Sequence, residues 1–199
     1  MKIITDFISR YTTLNEDDAE FLTSFLTSKK YKANEVILKS GNIAAAMYFV
    51  ISGSARSYFV NSQGQEYTWT FNFNDPDALF ENSIIIDHHS FINQTPSALT
   101  VEVIKDMEAV ELRHENFLTM LAASAKMHEI VKIFTEKGFY YTSERAFSLF
   151  TKSAKERYLQ LLKEEPYLLN KFSHYHIASY LGIAPQSLSR LRKELTDTR

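Results

Sequence analysis

The chain has 199 residues, 45% of them hydrophobic and 14% aromatic, enough to bury one good core or two smaller ones. It contains no cysteine, which excludes disulfides, thiolate nucleophiles, cysteine-ligated zinc and cysteine-held iron–sulfur clusters. The formal net charge of −2 argues against indiscriminate coating of nucleic acid, but residues 151–199 carry nine Lys/Arg against five Asp/Glu, whereas residues 1–150 carry 13 against 19. A basic tail on an acidic body suits a local phosphate contact. With no long apolar run and no signal-like N-terminus, a soluble, cytoplasmic protein without membrane contact is expected.

The first segment reads as helix. Asn15 is its N-cap, Glu16, Asp17 and Asp18 fill a first turn where negative charge meets the helix dipole, and Leu22, Phe25 and Leu26 form its apolar stripe. From residue 31 to 112 the pattern changes to short strands at 36–38, 47–51, 55–60, 66–73, 98–104 and 107–112, separated by turn signals such as Ser40-Gly41, Ser52-Gly53 and Asn61-Ser62-Gln63-Gly64. In the strand at 66–73, Tyr67, Trp69, Phe71 and Phe73 alternate with Glu66, Thr68, Thr70 and Asn72, so one face is aromatic and the other polar. The aromatic face reads as core rather than as a cofactor box. Strands this closely spaced predict a small antiparallel barrel or jelly roll. The polar excursion at 81–96 carries a short apolar helix candidate at Ile84 to Ile86.

Helical periodicity returns over 115–150, where Ile130, Phe134, Lys137 or Gly138, and Tyr141 fall close to a/d spacing on a helix of about 25 residues, about 37 Å long. Such a helix can serve as a dimer seam or as a long core helix of a monomer. Ser153 and Glu156 make a capping box for the next helix. These changes of pattern divide the chain into an N-terminal domain at 1–114, a connecting helix at 115–152 and a C-terminal domain at 153–199.

The C-terminal domain holds the most informative stretch, FSHYHIASYLGIAPQSLSRLRKEL from Phe172 to Leu195. Ser173 is an N-cap, Ile177, Ala178 and Leu181 share a face, Gly182 supplies a sharp turn, and Pro185 opens a second helix that buries Leu188, Leu191 and Leu195. This is a helix-turn-helix pattern, although an ordinary two-helix corner with a solvated outer face fits it too. The outer face shows Gln186, Ser187, Ser189, Arg190, Arg192 and Lys193. Such donors and cations suit a major groove about 12 Å wide, where Arg bonds guanine and Gln bonds adenine. Gln186 and Arg190 are the expected base contacts, Ser189 a base or phosphate contact, and Ser173, Ser187 and Lys193 phosphate contacts.

The order of parts resembles the Crp/Fnr family of bacterial transcription regulators over nearly the whole chain. The resemblance is carried by VILKSG, MYFVISGSARSYF, the TSER stretch at Thr142 to Arg145, the helix-starting Arg157 and the C-terminal motif. It implies an α+β protein: an N-terminal cyclic-nucleotide-binding-like barrel, a long dimerisation helix and an all-α helix-turn-helix domain. It also implies a homodimer, double-stranded DNA and RNA polymerase as partners, and a small-molecule effector inside the barrel. By the family's pattern Glu81 matches the carboxylate that bonds the ribose, Ser97 and Ala98 follow the phosphate-binding position, and Thr142 and Ser143 match the pair that reaches the base. The phosphate-binding Arg is replaced by Pro96 and a conformationally free Gly by Phe80. Losing a two-pronged Arg–phosphate contact costs about 3–5 kcal/mol, so cyclic AMP is not the expected effector. The chain also ends a few residues past the recognition helix, so the β-hairpin wing of longer members is expected to be absent or reduced.

Six histidines invite a metal or catalytic reading, but adjacent His88-His89 and the i, i+2 pair His174 and His176 do not converge, and His114 and His128 lack a carboxylate and nucleophile pattern. No phosphate loop, Gly-x-Ser-x-Gly elbow or His-Glu-x-x-His motif occurs, so neither an enzyme nor a metal site is expected. A sensor whose C-terminal motif serves protein interaction rather than DNA reading is the alternative function.

Overall fold

The computed structural model describes residues 2–197, apart from the side chains of Glu81, Thr196 and Asp197. Two compact units emerge, one of Met1–Ser57 with Phe71–Tyr140 and one of Tyr58–Thr70 with Tyr141–Arg199.

Helices α1 (Lys2–Ile8) and α2 (Glu16–Ser24) precede strands β1 (Thr27–Tyr31), β2 (Val36–Leu38), β3 (Ala46–Val60), β4 (Glu66–Phe73) and β5 (Ile84–Ile85), with helix α3 (His88–Asn93) before strand β6 (Thr100–Arg113); the 58–70 part of β3 and β4 belongs to the second unit. Asn15 caps α2 as expected, accepting a 2.7 Å bond from the Asp18 N–H. The sheet runs β1-β6-β3-β4, with β2 on β6 and β5 on β3. The pairings of β1 and β2 with β6 and of β5 with β3 are antiparallel. β6 shows how the sheet divides its residues. Val101, Val103, Met107 and Ala109 join Val50, Ala55 and Ile85 in one core, while Val110 and Leu112 face a second core shared with Ile4, Phe7, Leu22, Phe117, Met127 and Ile130.

Several sequence boundaries move. The expected strands at 47–51 and 55–60 are one strand, β3, because Gly53 sits inside it at φ +82° rather than in a turn. A Cβ there would lie 2.1 Å from the Asp106 carbonyl oxygen, so only glycine lets the two backbones approach. The strands at 98–104 and 107–112 likewise fuse into β6, against which β1 pairs in a region the periodicity had not marked as strand. The helix candidate at Ile84 to Ile86 is instead β5, paired with Tyr48 and Phe49, and the helix lies later, at α3, capped by Asp87. The helix expected over 115–150 is two, α4 (His114–Ala123) and α5 (Ala125–Thr151), divided by Ser124 in extended backbone.

The face assignment of β4 also changes. Phe71 and Phe73 are core as expected, but the polar residues Thr68, Thr70 and Asn72 are buried too. Asn72 is satisfied there, donating to the Ile84 carbonyl at 2.8 Å and accepting from the Ser57 hydroxyl.

The inner stripe of α5 packs within its own chain. Met127 and Ile130 are buried, and Phe134 stacks edge-on to Phe7, Tyr11 and Phe80. A second face of the same helix is open, with Phe139, Tyr140, Phe147 and Phe150 all exposed, Phe150 at 89%. Tyr140, Ser143, Phe147 and Phe150 follow one another at spacings of three, four and three, the a/d rhythm of a coiled-coil seam.

Candidate nucleic-acid interface

Four further helices complete the second unit: α6 (Ala154–Glu164), α7 (Leu168–Lys171), α8 (His174–Tyr180) and α9 (Pro185–Asp197). The capping box starts α6 as expected: the Ser153 side chain accepts from the Glu156 N–H while the Glu156 carboxylate accepts from the Ser153 N–H at 2.7 Å. Those bonds from Ser153 hold the Glu156 carboxyl below its usual range.

The α8–α9 pair is the expected helix-turn-helix. Ser173 caps α8, accepting from the His176 N–H. Gly182, at φ +66°, then reverses the chain: its N–H bonds the Ser179 carbonyl at 3.1 Å and the Ile183 N–H bonds the Ala178 carbonyl at 3.0 Å. This is a Schellman closure, which a residue without Cβ forms at least cost. Ala184 caps α9 by accepting from the N–H groups of Ser187 and Leu188, and Pro185 takes the first position, where its missing N–H leaves no bond unmade. Ala178 and Leu188 are wholly buried, locking the two helices together.

Packing Leu188 inward fixes what α9 shows outward. Gln186, Ser189, Arg190 and Lys193, at i, i+3, i+4 and i+7, are exposed along one face. Ser187 is half-buried beside that row, and the Ser189 hydroxyl donates to the Pro185 carbonyl at 3.2 Å. Lys155 pairs with Glu194 at the far end, anchoring α9 to α6. The six expected contact residues therefore divide into a row of four on α9, its half-buried neighbour Ser187, and Ser173 at the start of α8. The wing expectation concerns chain beyond α9, outside the described residues.

The expected effector residues fall in both units. The Glu81 side chain lies outside the described residues. Ser97 is buried, and its hydroxyl donates to the Asp87 carboxylate at 2.6 Å while accepting from the Leu99 N–H at 2.9 Å. Ala98 is exposed, as is Pro96, which bridges to Ile43. Thr142 and Ser143 are exposed on the stretch of α5 that belongs to the second unit. Phe80 lies in the aromatic cluster with Phe7, Tyr11 and Phe134. Cavities in the first unit include one of about 120 Å³, lined by Ile37, Tyr48, Asp87 and Val101 among others, and one of about 350 Å³, lined by Phe7, Tyr11, Phe49 and Phe80 among others. Small-molecule pockets are ordinarily about 300–1,000 Å³. Among the described residues no cluster of three or more His, Asp or Glu could hold a metal ion, and no helix is long and apolar enough to cross a membrane.

Sequence reading marked Arg145 and Arg157 only as carriers of the resemblance, without a role, and left Ser179 unmarked; these three organise the unit. Arg145 on α5 donates to the carbonyls of Trp69 at 2.8 Å, Thr68 at 3.0 Å and Tyr180 at 2.6 Å, and its guanidinium lies 3.6 Å from the Tyr180 ring centroid. Arg157 on α6 donates to the Leu181 carbonyl at 3.0 Å and to that of Lys152. Burial, then the charge of Arg145, lowers its pKa. Two cations thus meet the last carbonyls of α8, where the helix dipole favours them. Ser179, buried in the run Ile177 to Leu181, bonds Thr68 and Glu66. For Ser179, a serine inside an apolar run was the signal available in advance.

Comparison with known proteins agrees with this architecture. Residues 28–124 match the cyclic nucleotide-binding domain family. The anaerobic regulatory protein of Haemophilus influenzae is 22% identical over 193 residues, covering 90% of this chain and 71% of that protein. Among solved structures, FixK2 from Bradyrhizobium japonicum superposes with a TM-score of 0.71 at 19% identity, covering 87% of this chain and 85% of that one. The c-di-GMP responsive global regulator CLP from Xanthomonas campestris also gives 0.71, at 18% identity over 92% and 93% of the two chains.

Proposed function

We propose that the chain is a DNA-binding transcription regulator of the Crp/Fnr type, acting as a homodimer whose two α9 helices enter successive major grooves of one DNA site, about 34 Å apart. The observation that carries this reading is the exposed row Gln186, Ser189, Arg190 and Lys193 on a helix whose opposite side is locked by Leu188. The open seam of Tyr140, Ser143, Phe147 and Phe150 supplies the second copy's contact. Its role is regulatory rather than enzymatic, exercised in the cytoplasm, with RNA polymerase as the further partner.

The effector we propose is a small molecule other than an ordinary cyclic nucleotide. Pro96 offers no donor to a phosphate, the Ser97 hydroxyl is committed to Asp87, and that carboxylate repels an anion. Any such ligand shifts the DNA-binding equilibrium only by its differential affinity for the two states.

Selection of duplexes from a random pool, followed by titration of two variants, tests the reading. Arg190→Ala should lose about 1–3 kcal/mol of discrimination at one base position, whereas Lys193→Ala should weaken all duplexes alike and flatten the salt dependence. Identical behaviour of the two variants would refute these roles.

A further inference from the structure

β4 ends the sheet order, so along 66–69 its outer edge has no neighbouring strand to take up its backbone groups. Residues 58–70 form the tip of the β3–β4 hairpin, closed by an Asn61 side chain that accepts from the N–H groups of Gln63 and Gln65, and this tip belongs to the same compact unit as α8 and α9. Helix side chains satisfy the edge there. The Ser179 hydroxyl accepts from the Thr68 N–H at 2.8 Å, lies 3.1 Å from the Thr68 hydroxyl, and donates to the Glu66 carbonyl at 2.8 Å. Arg145 takes the Thr68 and Trp69 carbonyls and, with the same guanidinium, the Tyr180 carbonyl at the end of α8.

We propose that Ser179 and Arg145 are positioning residues for DNA reading: they latch α8 to the hairpin tip, and α9 follows α8 through the Gly182 turn and the Leu188 contact. The inference rests on the DNA-binding role proposed above. Neither side chain is on the exposed row of α9, so neither reads DNA itself. Thr68 and Ser179 are both buried, and each bond replaces one that water would otherwise make to an open strand edge. β3 and β4 continue from the hairpin tip into the sheet of the first unit.

The absence of native cysteine permits a clean test in the full-length chain. The Thr68→Cys/Ser179→Cys variant, when reduced, lacks the hydroxyl bonds; when oxidised, it restores the link covalently. Affinity for the selected site and for a random duplex is measured in both states, with thermal melting to verify folding. The reduced variant should bind the selected site at least 10-fold more weakly than the parent, with random-duplex affinity changed less than 2-fold, and oxidation should restore the loss to within 2-fold. Arg145→Lys, which keeps the charge but not the fork, should show the same selective loss. Parental affinity in the reduced variant would overturn the proposal, as would a folded oxidised variant that stays weak. If the parent itself selects no duplex, the DNA-reading function fails and the latch falls with it, a result distinct from either of those.

Discussion

Gly53 shows how much a single residue can decide. Its φ of +82° and the closeness of the Asp106 carbonyl leave no room for a methyl group, so β3 crosses β6 there only because the position carries no side chain. Gly53→Ala must both strain the backbone and push β6 away. A loss of about 2–4 kcal/mol is expected in denaturant unfolding. Gly41, also at positive φ, has nothing within 4 Å of its would-be Cβ. Gly41→Ala therefore pays only the conformational part, which makes it the control.

At the scale of elements, helix ends and helix ties depend on carboxylates held below their usual range. Lys126 and then Thr12 lower Glu129, joining α5 to the segment after α1; the Ser153 N–H and hydroxyl lower Glu156 at the start of α6; Lys32 and the Ala33 N–H lower Asp106 beside β1. Their folded-state pKa values lie below the unfolded ones, so their stabilisation is complete above the unfolded carboxylate range, near about 4, and is lost as pH falls through the folded values. The melting temperature should therefore be nearly level above about pH 5.5 and fall below about pH 4. The triple variant Asp106→Asn/Glu129→Gln/Glu156→Gln should start lower at neutral pH and show a shallower acid slope. An unchanged slope would mean that other groups govern acid unfolding.

For the whole molecule, the proposed dimer rests on α5. Its inner stripe is spent on its own unit, while Phe147 and Phe150 stand in solvent in a single chain. Exposed aromatic residues at heptad spacing on a helix of 27 residues are what a second copy would cover. Phe147→Glu/Phe150→Glu should run as a monomer in sedimentation at micromolar concentration, melt without loss of the fold of either unit, and bind the selected DNA site at least 100-fold more weakly, because each α9 then acts alone. A variant that remained dimeric would place the seam elsewhere.

The sequence of larger parts from N-terminal helix through strands and long helix to the helix-turn-helix, the caps at Asn15, Ser153 and Ser173, the Gly182 turn and the outward row on α9 were readable in the sequence. Each depends on residues within a few positions of one another, where propensity and periodicity act directly. Tertiary structure decided what depends on distant partners. Gly53 is a strand residue because of Asp106, the polar side of β4 is buried because Ser179 and the Ile84 carbonyl bond it, and Ser97 is committed because Asp87 meets it. Arg145 is the plainest case: the TSER stretch marked it only by resemblance, and only the folded chain brings three carbonyls, two from β4 and one from α8, within reach of its guanidinium.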